Sequence, residues 1–196
     1  MLNCTLKPSL EPSNTEALAD VVGEELTRRG ADVERIRVVD IDIKPGVSTD
    51  QGEGDQWSDV HDKVLAAEIL IIATPTWVGP PLARTARPRT DGCDDLGDRR
   101  PRPPGRIRPR RRCRGDRERG RRHHVISEIS GGLGAIGYTI PPQVWTYWYL
   151  GPGPGPDYLD EQRGHDWPHS TGRAMAANLH HAATALARHP YDAPPR

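Results

Sequence analysis

Hydrophobic and polar positions follow two rhythms along this chain, a period near 3.6 and a period near 2, and their order predicts alternating strands and helices. Residues 2–6 open as a short strand, and Lys7, Pro8, Ser9, Leu10, Glu11, Pro12 and Ser13 form a polar loop punctuated by proline. Ser13 or Asn14 then caps a helix in which Leu18, Val21, Val22 and Leu26 recur at helical spacing. Glu16 sits in its first turn, Arg28 and Arg29 near its end, and Gly30 closes it. In residues 33–39, Val33, Arg35, Arg37 and Val39 alternate with Glu34, Ile36 and Val38, which is strand material. A loop with Pro45 and Gly46 follows, and Asp55 or Ser58 opens a second helix through Val64 and Leu65. Residues 68–74 are a nearly continuous apolar run, suited to a strand buried on both faces of a parallel sheet. This succession predicts a doubly wound α/β fold, in which ligands sit beyond the carboxyl ends of the strands. The loops after Leu6 and after Thr74 are therefore expected to share one site.

Further along, residues 124–136 read as a helix with Val125, Ile129, Leu133 and Ile136 on one side, loosened at its end by Gly131, Gly132 and Gly134. Tyr138, Thr139 and Ile140 make a short fifth strand. An aromatic run from Trp145 to Tyr149 precedes a rigid Gly-Pro repeat, and packing over the sheet accounts for it. Ser170 or Thr171 caps a last helix with a stripe of Met175, Leu179, Ala182, Ala183 and Leu186, and residues 190–196 are a tail.

Between these ordinary stretches, residues 82–122 hold 16 of the chain's 24 arginines and none of its lysines, and no periodic apolar pattern survives there. The formal net charge of zero conceals this split. Residues 82–122 carry 16 basic and 6 acidic side chains, so the remainder is acidic by about 10 charges. An acidic body argues against a general nucleic-acid binder, since phosphate contacts need a basic face. A shifted reading frame accounts for the stretch. Residues 114–121 read one base later permit Val-Val-Thr-Gly-Asn-Glu-Asp-Gly, a strand end and loop, and residues 91–98 permit Met-Asp-Ala-Met-Ile-Ser-Glu-Thr, a helix end. Loss of frame between Val78 and Leu82, restored near His123, disrupts the third helix and the fourth strand and predicts a disordered or poorly packed segment.

The length of 196 residues suits one domain, 1–189, ahead of the tail. Three cysteines, two of them within the arginine-rich stretch, support neither a disulfide framework nor a zinc site. His123, His124, His165 and His169 fit no zinc spacing either. With no apolar run long enough for a bilayer and no basic-then-apolar leader, the expected location is cytoplasmic.

The candidate chemistry lies in the two loops. Thr5, Lys7, Ser13, Asn14 and Thr15 offer hydroxyls, a cation and the amides of a helix N-terminus, a set suited to a phosphate monoester, although such residues also serve simply as caps. Pro75, Thr76, Trp77, Val78 and Gly79 present a ring and backbone amides at the sheet edge, where a flat heteroaromatic ligand would stack. Together with Asn3, Cys4, Ala73, Thr74 and the run from His123 to Ile129, these residues resemble the flavodoxin-like NAD(P)H-dependent FMN reductases over most of the chain except 82–122. The phosphate loop is longer than that family's usual Ser-x-Arg-x-x-Ser pattern. The resemblance implies a flavodoxin-like doubly wound parallel sheet of order 2-1-3-4-5. It implies FMN as cofactor, its phosphate on Thr5, Lys7, Ser13, Asn14 and Thr15 and its ring along Pro75, Thr76, Trp77, Val78 and Gly79. NAD(P)H would be the co-substrate and a small molecule such as free flavin, a quinone or a nitro compound the electron acceptor, with the flavin itself doing the chemistry and no catalytic side chain. Family members often dimerise, so a homo-oligomer fits, and the aromatic run then offers itself to a neighbouring subunit's site. Neither a membrane nor nucleic acid is an expected partner. Two rival readings stay open: residues 101–122 as an arginine-rich arm for RNA or another polyanion, and an inactive remnant that binds no cofactor.

Overall fold

A computed structural model describes residues 1–76, 110–150 and 155–192, with the side chains of 110–121 outside the description. Trp77, Val78, Gly79 and residues 80–109 likewise lie outside the described residues. In chain order the elements are β1 (Leu2–Asn3), α1 (Asn14–Arg28), β2 (Ile36–Arg37), α2 (Trp57–Ala66), β3 (Ile72–Ala73), α3 (Arg110–Ala135) and α4 (Asp166–Arg188). They fall into two compact units. The first comprises Met1–Pro75, Ile140–Trp148 and Asp157–Arg196, and the second Thr76–Thr139 and Tyr149–Pro156.

In the first unit a three-stranded parallel sheet has the order β2-β1-β3, the first three places of the order expected from the sequence. Leu2 is opposite Ile36 and Ile72, and Asn3 opposite Arg37 and Ala73. The ladder is carried by Leu2 N–H to the Ile71 carbonyl (2.8 Å), Cys4 N–H to Ala73 (2.7 Å) and Ile36 N–H to Met1 (2.9 Å). The alternating pattern over 33–39 extends past the true strand. After Arg37 the chain enters a 3₁₀ turn, Val38–Asp40, and a turn cannot continue a ladder.

α1 forms where its spacing predicts. Ser13 has extended backbone, and its hydroxyl oxygen accepts the Glu16 N–H. At the other end Gly30 takes a φ of +90°, the Gly30 N–H bonds the Thr27 carbonyl and the Ala31 N–H bonds that of Leu26. That pair of bonds is the left-handed helix stop for which glycine is suited. Val22 and Leu26 bury the apolar face of α1 against Ile71 and against Ala176 of α4, with Met1, Val33, Ile69, Met175 and Leu179 around them. Gly172 of α4 faces α1, and a methyl group there would sit 3.4 Å from side-chain carbons of Val21 and Val22.

α4 starts a turn earlier than Ser170 or Thr171. Pro168 lies in the first turn, where a missing N–H forfeits no helical bond. Thr171 is inside the helix, donating to the Trp167 carbonyl (2.9 Å) and pairing with the Thr146 hydroxyl (2.8 Å). α2 opens at Trp57. Asp55 accepts the N–H groups of Trp57, Lys44 and Gln51, so it closes the preceding loop as well as starting the helix. Residues 138–140 join no ladder, contrary to the expected fifth strand. A strand needs a paired neighbour, and the chain expected to supply one falls within 82–122.

In the second unit the helix expected from residue 124 begins at Arg110. Arginine is a strong helix former, and no proline occurs between Pro109 and Pro141. Residues 110–121, expected to lack order, are therefore helical in their backbone, while 82–109 lie outside the described residues. Ser127 donates to the His123 carbonyl (2.7 Å), and His124 pairs with Glu128 one turn on (3.0 Å). The helix ends at Gly137, whose φ is +100°, with the Tyr138 N–H bonded to the Leu133 carbonyl.

Candidate functional site

Because β1 and β3 are parallel neighbours, their carboxyl ends lie side by side, and the chain leaving each begins at one edge of the sheet. Asn3 and Thr5 are buried there. The Asn3 side-chain oxygen accepts the Thr5 N–H (3.1 Å), and the Thr5 hydroxyl oxygen accepts the Lys7 N–H (3.3 Å). Asn3 Nδ2 is a buried donor with no acceptor among the described residues. Cys4, between them, has its thiol pushed up by burial, which keeps it protonated and a poor nucleophile.

Ser13, buried at the start of α1, accepts the Glu16 N–H at 3.3 Å. Thr5 and Ser13 thus each use their oxygen as an acceptor for backbone, which leaves each hydroxyl proton to be donated. Beside the α1 amides, that is a donor set for an anion. Lys7 is exposed and its ammonium donates to the Pro12 carbonyl (2.9 Å), so it holds the loop closed and can be redirected at little cost. The Asn14 side-chain oxygen accepts the N–H of Leu159 (3.0 Å), which ties the start of α1 to the segment before α4 and leaves the side-chain NH2 as a donor. Thr15 is half-buried in the first turn. These residues fit a phosphate monoester.

Arg37 was legible in the sequence only as a strand position, yet it organises this loop. Its guanidinium donates to the carbonyls of Lys7 (3.3 Å), Pro8 and Glu11 (3.1 Å) and pairs with the Glu16 carboxylate. Three residues on, Asp40 accepts both the N–H (2.9 Å) and the hydroxyl of Ser9. These two bonds hold the Asp40 carboxyl below its usual range. Between the two clamps Leu10 is fully exposed with a φ of +77°, a left-handed conformation that costs a non-glycine residue roughly 1–2 kcal/mol. No spacing rule links position 37 to positions 7–11, so only the fold reveals this contact.

The second loop is described in part. The Thr74 hydroxyl donates to the Pro75 carbonyl (3.3 Å), directly after β3. Pro75 belongs to the first unit and Thr76 to the second. Trp77, Val78 and Gly79 lie outside the described residues, so the ring-binding half of the expected site is represented by Pro75 alone within the unit that carries the phosphate loop.

Within the first unit Trp145, Tyr147 and Trp148 make their ring contacts with the start of α4 and the segment before it, where packing over the sheet was expected. Trp145 stacks on Tyr147 with centroids 5.8 Å apart, and Trp167 of α4 lies 4.8 Å from Tyr147. Trp148 meets both Tyr158 and His165 edge-on, and Tyr158 stacks on His165 at 4.4 Å. The Tyr158 hydroxyl and His169 Nε2 are 2.6 Å apart. Among the described residues no group of three His, Cys, Asp or Glu is placed to hold a metal.

The profile of the family described as NADPH-dependent FMN reductase matches residues 2–81. The chain is 32% identical over 207 residues to 8-demethyl-8-aminoriboflavin-5'-phosphate synthase of Streptomyces davaonensis, covering 97% of this chain and 79% of that enzyme. It is also 32% identical over 198 residues to the divalent metal cation transporter MntH of Mycobacterium bovis, covering 94% of this chain but 28% of that protein. The chain spans little more than a quarter of that protein, and no described helix here is long and apolar enough to cross a membrane. Among solved structures, RosB with bound intermediate 8-demethyl-8-formylriboflavin-5'-phosphate superposes with a TM-score of 0.71 at 28% identity, covering 97% of this chain and 80% of that one.

Proposed function

This chain belongs to the NADPH-dependent FMN reductase family, a family of flavin-related oxidoreductases, and from that membership we propose that it binds FMN and passes a hydride from NAD(P)H to a small acceptor. The observation that carries the proposal is the pair of buried hydroxyls, Thr5 and Ser13, each with its proton left to donate, at the carboxyl end of β1 and the start of α1. Their O–H groups and the amides of Asn14 and Thr15 would bind the phosphate, with Lys7 adding a positive charge. The chain from Pro75 through Thr76, Trp77, Val78 and Gly79 would lie along the ring system. When bound, the flavin supplies the redox chemistry by accepting the hydride and handing it on. The side chains orient the cofactor and balance its charge.

The test is FMN and riboflavin binding, followed by NADH and NADPH oxidation with a flavin, a quinone and a nitro compound as acceptors. Tight FMN binding, weak riboflavin binding and acceptor-dependent oxidation of a nicotinamide are expected. Equal affinity for the two flavins would remove the phosphate assignment, and bound FMN without nicotinamide oxidation would remove the hydride transfer.

A second reading has its own support. The Streptomyces relative is named as a synthase of an aminoriboflavin phosphate, and the RosB structure holds a formylriboflavin phosphate. The same phosphate loop would then hold a flavin 5'-phosphate as substrate. Mass spectrometry of the flavin after turnover separates the readings, because a cofactor returns unchanged and a substrate returns with altered mass.

A further inference from the structure

We propose that Arg37 is the positioning residue of the phosphate loop, setting its selectivity for a phosphorylated flavin without touching the phosphate; this rests on the loop assignment made under Proposed function. A loop that admits an anion must keep its carbonyl oxygens, the negative ends of its peptide dipoles, directed elsewhere. Here they are engaged by cations. The Arg37 guanidinium takes the carbonyls of Lys7, Pro8 and Glu11, and the Lys7 ammonium takes that of Pro12. Nη1 of Arg37 has two protons for three carbonyls, so at least one is shared, which demands a fixed ring of acceptors around one nitrogen.

Arg37 also neutralises Glu16, whose carboxylate stands in the first turn of α1. Unpaired, that charge would oppose an anion arriving at the same helix terminus. The Arg37 side chain is itself only 9% exposed, so its charge is committed inside the protein. Asp40 completes the clamp from the same short segment by taking the N–H and hydroxyl of Ser9, which withdraws Ser9 from the donors available to a ligand. The loop therefore presents Thr5, Ser13 and the α1 amides while β2 and its 3₁₀ turn hold the carbonyls of Lys7, Pro8 and Glu11 and the polar groups of Ser9.

Lysine keeps the charge of arginine but lacks its planar fork, so it cannot span three carbonyls and a carboxylate. Arg37→Lys separates charge from shape. The measurements are FMN and riboflavin affinity by fluorescence titration, and hydrogen exchange of the 7–13 loop in ligand-free protein. Arg37→Lys is expected to weaken FMN binding roughly tenfold to a hundredfold, leave riboflavin binding within about twofold, and accelerate exchange at the loop amides. Parallel loss of both flavins would mark a merely structural residue and overturn the proposal. An unchanged preference for FMN would overturn it too, while leaving the phosphate assignment intact. If the wild-type protein shows no preference for FMN, the phosphate assignment fails and the selectivity proposed for Arg37 falls with it. Exchange in the ligand-free protein then says separately whether Arg37 still shapes the loop.

Discussion

Replacing Ser13 separates capping from ligand binding. Its hydroxyl oxygen accepts the Glu16 N–H at 3.3 Å in a site that is 4% exposed. Ser13→Ala removes that bond, and loss of such a cap costs about 1 kcal/mol, or roughly 2–4 °C in Tm for a chain of this size. It also removes one donor to the phosphate, for which roughly tenfold to a hundredfold weaker FMN binding is expected. Ser13→Asp is the more informative variant. Aspartate caps a helix as well as serine and favours the helix dipole, so Tm is expected to hold near the wild-type value. A carboxylate at the cap and a phosphate on the same amides repel each other, and two unit charges about 4 Å apart at an effective dielectric constant near 20 interact by about 4 kcal/mol. That corresponds to roughly a thousandfold loss of FMN affinity, with riboflavin spared. Thermal melts and titrations with both flavins measure each effect. If Ser13→Asp binds FMN as the wild type does, Ser13 is a cap alone and the placement of the phosphate at α1 is wrong.

Two further outcomes follow from the packing of α1 and α4. Gly172→Ala places a methyl group 3.4 Å from Val21 and Val22, an ordinary contact, and adds helix propensity, so it is expected to stabilise by about 1 kcal/mol, whereas Gly172→Leu forces the helices apart and lowers Tm. A drop in Tm for the alanine variant would show that the helices have no room for a methyl. Burial, with His165 and Arg173 nearby, holds His169 below the usual histidine range, against the pull of Asp166 and Glu24. The unfolded chain therefore takes up the proton more readily than the folded one. This contribution to stability is complete above an unfolded pKa of about 6.5 and is lost as pH falls through the lower folded value. Melts between pH 8 and 5 are expected to show a fall on the acid side that is smaller in His169→Gln. Equal falls in the two proteins would remove His169 as its source.

Local rules made much of this protein readable. Ser13 before a polar first turn, the 3.6-residue spacing through Val22 and Leu26, and Gly30 past the last turn define α1 because each acts within a few residues. The apolar run before Thr74 likewise identified a parallel strand, though only Ile72–Ala73 pairs and both residues are half-buried rather than covered on both faces, and the succession of elements identified the doubly wound fold. The limits of the strands were not readable. A ladder lasts only while both neighbours stay extended, and whether residue 38 pairs or turns depends on the partner strand. The roles of polar residues were least readable of all. The Asn14 side-chain oxygen pairs with Leu159, 145 positions away, and Arg37 looked like one tooth of a strand until the fold set its guanidinium among the carbonyls of the loop. Sequence by itself determined α1, the order of the first three strands and the family, since caps, periodicity and turns are short-range. Tertiary structure alone decided which donors are already spent within the protein, because a hydrogen bond goes to whichever partner the fold brings within about 3 Å.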